Sequence, residues 1–229
     1  MNIPINLVYL ISLIPFCLIW IILFVKGKHT RREMLVMSFI IGFISLVSSY
    51  YWWTRDWWLP HNITGTKIGI EDFIMGFTAG GIMTTAYEVF FLKKYHEVKR
   101  KIKMPSFFTI LLILALATAW LIWGIGTTTF IASAISMILV SGIIYSFRKD
   151  LFINGLWSSL LMLIISLLFY YTIIFLSPNW INQTYLFSTL SGIKITGIPI
   201  EELIFWFLAG LFWGPLYEYW HNEQLKIKK

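Results

Sequence analysis

Four acidic residues stand as two doublets, Glu71-Asp72 and Glu201-Glu202, each at the head of a long apolar stretch. The chain has only 11 Asp and Glu among 229 residues, so two matched doublets inside apolar sequence call for a reason. A carboxyl group placed in hydrocarbon is costly, and by default it faces a bundle interior and does a job there. Two neighbouring carboxyl groups kept from water are expected to hold a proton between them. Such a doublet is a Brønsted acid within reach of an apolar base. Acids in the first turn of a helix also suit its dipole and unpaired N–H groups, so capping is the competing explanation, although a cap needs one oxygen and not two adjacent acids. Glu88 and Glu218 follow 17 residues after Glu71 and Glu201, about 25 Å along a helix at 1.5 Å per residue. One reaction centre cannot use both sets. The later pair adjoins basic loops, where interfacial ion pairs would account for it.

Aromatic residues make up 18% of the chain. Tyr50, Tyr51, Trp52, Trp53, Trp57 and Trp58 precede the first doublet, and Trp206, Trp213, Tyr217, Tyr219 and Trp220 follow the second. Most belong to an interfacial aromatic belt. Those nearest the doublets offer π-faces that stabilise a carbocation without a counter-charge. His29, His61, His96 and His221 are scattered with no metal-ligand spacing, so no metal is expected. The chain shows no nucleotide-binding glycine motif and no nucleophile elbow, so no tightly bound cofactor is expected. Asn62-Ile63-Thr64 and Asn182-Gln183-Thr184 match the glycosylation sequon, a pattern too common to decide anything.

The elements that carry these groups follow from composition. With 58% hydrophobic and 13% charged residues, the bilayer is the expected solvent. The apolar runs have the length of membrane-crossing helices, not of barrel strands. The hydropathy pattern predicts an all-α membrane bundle of about seven transmembrane helices, near residues 5–25, 34–53, 69–92, 106–124, 127–147, 154–176 and 197–220. The first run has no preceding basic stretch and no cleavage site, and is expected to be retained. Cys17 lies within it as a small apolar side chain. The net charge of +7 sits in short loops, which argues against nucleic acid as a partner. One loop set holds Lys26, Lys28, Arg31, Arg32, Lys93, Lys94, Lys99, Arg100, Lys101, Lys103, Arg148, Lys149, Lys226, Lys228 and Lys229, and the other only Arg55, Lys67 and Lys194. The positive-inside rule then puts the amino terminus outside and the carboxyl terminus in the cytoplasm of a multi-pass cell-membrane protein.

The third and seventh predicted helices align without gaps at an offset of 130 residues. Glu71 meets Glu201, Asp72 meets Glu202, Gly80 meets Gly210, and Tyr87-Glu88 meets Tyr217-Glu218. Tyr50-Tyr51 and Tyr170-Tyr171 form a weaker echo. These matches divide the chain into a first three-helix unit (1–103), a connector helix (104–126) and a second unit (127–229). A site at the interface between two such parallel repeats is the usual arrangement.

Gly197-Ile198-Pro199-Ile200-Glu201-Glu202, followed by the aromatic run to Trp213-Gly214-Pro215-Leu216-Tyr217-Glu218, resembles the heterodimer-type membrane lycopene cyclases and their P-x-E-E signature. Arg55-Asp56-Trp57-Trp58-Leu59-Pro60 and Gly69-Ile70-Glu71-Asp72 are similar to the companion subunit, so the chain looks like a fused two-repeat form. Gly69 departs from the pattern where the second copy has Pro199. The resemblance implies an isomerase of the intramolecular-lyase kind. It would protonate the acyclic ψ-end of lycopene and close it to an ionone ring, most simply the β-ring, with no net redox change. It implies Glu201 or Glu202 as proton donor, Glu71 or Asp72 as assistant or base, and Trp57, Trp58, Trp206, Tyr50, Tyr51 and Pro199 around the substrate. Lycopene drawn from the bilayer is the implied partner, with other carotenoid-forming enzymes as further contacts. An ε-ring or fifty-carbon carotenoid cyclase, a carotenoid-binding scaffold and a proton-coupled carrier stay open as alternatives.

Overall fold

The computed structural model describes residues 3–97 and 104–225. Lys99, Arg100, Lys101, Lys103, Lys226, Lys228 and Lys229 of the basic loop set lie outside the described residues. The helices are α1 (Ile5–Lys26), α2 (Arg31–Asp56), α3 (Ile70–Phe90), α4 (Phe107–Ile125), α5 (Thr129–Phe147), α6 (Lys149–Leu176), the short α7 (Trp180–Thr184) and α8 (Ile200–Trp220). All but α3 and α7, six helices, are long and apolar enough to cross a membrane. Large apolar side chains such as Phe43, Phe108, Trp120 and Phe175 point outward from them. Lipid solvates such a surface, and each helix satisfies its own backbone hydrogen bonds.

Helix α3 differs for a physical reason. Its 21 residues give it crossing length, yet it carries Glu71, Asp72 and Glu88 and a run of Gly and Thr, and Thr78 to Glu88 are all buried. It threads the middle of the bundle against α1, α2, α6 and α8, and a helix shielded from lipid need not be apolar all round. The most extensive helix pairs are α2 with α3 and α6 with α8. Small residues make both crossings close. A Cβ on Gly80 would lie 2.8 Å from the Ile41 side chain and 3.0 Å from the Met37 carbonyl, and one on Gly210 would lie 2.7 Å from the Ser158 carbonyl.

Local sequence sets the helix interruptions. Pro15 lacks an N–H and follows the break at Leu13 in α1. Gly214-Pro215 separates Ile200–Trp213 from Leu216–Trp220 in α8. A π-helical turn, Ser49–Trp53, inserts a residue near the end of α2. Helix α8 starts at Ile200, not 197, because 194–199 form a hairpin of β2 (Lys194–Ile195) and β3 (Ile198–Pro199). Thr196 and Gly197 turn it with φ of 52° and 88°, the paired positive angles a two-residue hairpin requires. At the other end of the bundle β1 (Tyr95–Glu97) pairs antiparallel with β4 (Glu223–Leu225), joining the chain after α3 to the chain after α8. Asp56, ending α2, accepts the Thr129 N–H at 3.0 Å and the Thr129 hydroxyl, so it caps α5 across the bundle.

Candidate active site

The two acids of each doublet have different surroundings. The first acid ties down the preceding loop: Glu71 Oε1 accepts the Ile63 N–H at 2.7 Å, and Glu201 Oε1 accepts the Ser191 N–H at 2.7 Å. The second faces the bundle. Asp72 Oδ1 accepts the Ser49 hydroxyl at 3.1 Å and the Tyr9 phenol at 3.4 Å. Its Oδ2 accepts the Gly69 N–H at 2.8 Å, so capping accounts for one of its oxygens. Glu202 Oε2 accepts the Tyr170 phenol. The Tyr170 oxygen in turn accepts Trp206 Nε1–H at 3.1 Å and the Tyr185 hydroxyl at 3.5 Å. All four acids are buried, at most 5% exposed. Tyr185 lies in the loop between α7 and α8, and burial, then the neighbouring Glu202 and Tyr170, push its phenol well above its ordinary value of 10.0. It therefore stays a donor.

Glu202 borders a small hollow whose other walls are Trp53, Trp57, Trp58, Met75, Phe205 and Trp206. Trp53, Met75, Phe205 and Trp206 are also walls of a cavity of about 540 Å³ enclosed by α2, α3, α4, α5 and α8. Its lining is almost wholly carbon. Phe43, Val47 and Leu112 belong to that lining and are 59%, 53% and 57% exposed on the outer face of the bundle, so the cavity opens toward lipid between α2 and α4. Trp53 and Trp206 thus stand between this cavity and the hollow that Glu202 borders. The rings pack edge to face, Trp57 on Phe205 at 5.1 Å and Trp53 on Phe205 at 5.5 Å between centroids. Tyr9 of α1 has its hydroxyl near Asp72 and its ring 5.4 Å from Trp58 and 6.2 Å from Phe169 of α6.

Of the residues expected from sequence, the structure gathers Glu202, Trp57, Trp58 and Trp206 around the hollow, with Asp72 beside Met75 through Tyr9. Glu71 and Glu201 are buried nearby but spend one oxygen each on loop amides. Pro199 is buried as the residue preceding α8 and walls neither cavity. Tyr50 and Tyr51, also expected around the substrate, wall neither cavity. They stand 47% and 59% exposed, stacked edge to face on each other, with Lys67 Nζ 4.8 Å from the Tyr50 ring centre. The π-helical turn carries them outward and leaves Ser49 facing Asp72. Tyr9, Ser49, Met75 and Tyr185 were not foreseen. Each is an ordinary membrane-helix or loop residue, and no spacing in the sequence marks it.

At the opposite end, Glu88 and Glu218 are buried, 3% and 0% exposed, and Glu33 of α2 joins them. Glu88 Oε2 lies 3.7 Å from His29 Nε2, a contact that becomes an ion pair when the imidazole is protonated. Glu218 instead accepts Asn154 Nδ2–H. Arg148, placed in a basic loop by sequence, is fully buried; its guanidinium bridges Asp150 and the carbonyl oxygens of Glu218 and Glu223.

Residues 127–220, the segment from α5 through α8, match the family model described as Lycopene cyclase. No curated protein and no solved structure matches the chain. The matched segment contains Glu201, Glu202, Tyr170, Tyr185 and Trp206, and it supports a lycopene-cyclase activity for a membrane protein with an apolar substrate.

Proposed function

We propose that this chain, a member of the lycopene cyclase family by its 127–220 segment, closes the acyclic ψ-end of lycopene to a β-ring. The observation that carries the reading is the position of Glu202, on a small hollow walled by four indole rings that shares Trp53, Met75, Phe205 and Trp206 with the large apolar cavity. Glu202 gives its proton to the terminal alkene of the ψ-end. The resulting tertiary cation is closed by the neighbouring double bond, and the new carbon–carbon bond moves the charge onto the ring. Trp53, Trp57, Trp58 and Trp206 hold that charge with their π-faces. Loss of a ring proton restores neutrality, and Asp72, aligned by Ser49 and Tyr9, is the base we assign. No electrons are gained or lost. Tyr170 and Tyr185 orient the donor; each turnover leaves Glu202 ionised and Asp72 protonated, so a proton has to pass back to Glu202 before the next.

Two units, 1–103 and 127–229, joined by 104–126, fit this site. Gly80 meets the Met37 carbonyl and Gly210 the Ser158 carbonyl, offsets of 130 on one helix and 121 on the other. The same offsets relate Ser49–Asp72 to Tyr170–Glu202. The inserted residue of the π-helical turn then restores an offset of 120, matching Tyr51 with Tyr171, both exposed. The loop charges favour the doublets at the outer face, with the amino terminus outside. An ε-ring would result from a base placed against the other ring proton. Expression in cells that accumulate lycopene, followed by pigment analysis, tests the reading: β-ring carotenoids are expected, and unchanged lycopene at normal protein level would reject it.

A further inference from the structure

The bundle end remote from the doublets holds a second built cluster that the cyclisation does not use. Glu33 of α2, Glu88 of α3 and Glu218 of α8 each bring one carboxylate oxygen within 4.8 Å of the others. All three residues are at most 5% exposed. Beyond the clustering, Oε1 of Glu33 and Oε2 of Glu218 are buried there with no hydrogen-bond partner, an arrangement that costs the desolvation of each oxygen unless something electropositive meets it. The Arg148 guanidinium does not supply that need, because it is engaged by Asp150 and two backbone carbonyls.

We propose that Glu33, Glu88 and Glu218 bind one hard divalent cation, Mg²⁺ or Mn²⁺, which clamps α2, α3 and α8 together. The ligand atoms are all carboxylate oxygens with no thiolate among them, the set that suits these ions. Asn154 of α6 orients Glu218 as an outer partner of the ligand. His29, with its side chain 40% exposed and 3.7 Å from Glu88, stands at the rim where an ion enters. The site is independent of the cyclisation reading, since it shares no residue with the aromatic hollow.

The test uses the full chain in detergent, stripped with a chelator and titrated with Mn²⁺ or Mg²⁺ alone, followed by thermal unfolding and the Mn²⁺ paramagnetic signal. We expect about one bound ion per chain, a Tm that rises with either ion, and loss of both responses in Glu33→Gln/Glu218→Gln. Glu201→Gln should keep both. If the double variant does not fold, the wild-type Mn²⁺ titration decides by itself. A wild-type Tm and Mn²⁺ signal indifferent to added ion, or a Tm that follows pH alone, would assign the cluster to shared protons and overturn the site.

Discussion

Tyr170 of α6 donates its phenolic hydrogen to Glu202 of α8, and that contact orients the carboxyl group toward the indole-lined hollow. Its neighbour in the chain, Tyr171, points away and is 43% exposed. Substituting Tyr170→Phe should slow cyclisation about tenfold, the effect of losing roughly 1.4 kcal/mol of positioning, while leaving the protein folded. Single-turnover rates with lycopene in micelles check this, and a variant as fast as wild type would remove Tyr170 from the machinery.

Glu202→Gln should cost at least about a hundredfold in rate, the usual contribution of a positioned proton donor. Glu201→Gln should cost less, because Glu201 holds the Ser191 amide and not the hollow. Pigment ratios at matched expression compare them. Equal losses would mean that the doublet acts as one unit.

Ala79 lines the large cavity and is only 2% exposed. Ala79→Leu should fill space instead of straining the core, abolishing turnover of a long polyene with a change in Tm within about 1 kcal/mol of stability. Unimpaired turnover would show that the substrate lies elsewhere.

Helix crossings give a prediction about stability alone. Gly210→Ala would press a methyl group onto the Ser158 carbonyl and the Ser159 backbone and should destabilise by about 1–3 kcal/mol. Gly142→Ala meets nothing within 4 Å and should be neutral or stabilising by up to about 1 kcal/mol. Thermal melts of the two variants separate these outcomes.

Alkaline pH offers a further check. The Tyr185 phenol is held above its ordinary value of 10.0 chiefly by burial, so the folded chain binds its proton more tightly than the unfolded chain. The stability this contributes is complete below about pH 10 and is lost as pH rises through the folded value. Tyr185→Phe should therefore make the midpoint less sensitive to pH above 10 than it is in wild type, as melts in an alkaline series would show.

The fold was largely legible because crossing helices announce themselves by length and apolarity, and the duplicated doublets pointed to the candidate site. What sequence did not mark was direction around a helix. Tyr50 and Tyr51 adjoin Trp52 and Trp53 in the chain, but the π-helical turn rotates them out to the surface. Glu33 follows Arg31 and Arg32 and reads as an ordinary interfacial acid, yet it is 5% exposed against Glu88 and Glu218. Tyr9 looks like any aromatic in an apolar first helix, and only tertiary packing brings it to Asp72. These are contacts between distant segments, and one-dimensional periodicity carries no information about them.

The mouth between Phe43, Val47 and Leu112 has a kinetic meaning. On the proposed function, a linear substrate with two equivalent tips that enters here brings only one of them to Glu202 at a time, while its remainder trails into the membrane. To be finished it has to withdraw, reverse itself among the lipid tails and dock again, so the half-closed species leaves as a free product between visits. The ratio of singly to doubly ringed pigment is then set by how crowded the bilayer is with fresh substrate, and not by the chemistry of the carboxyl group.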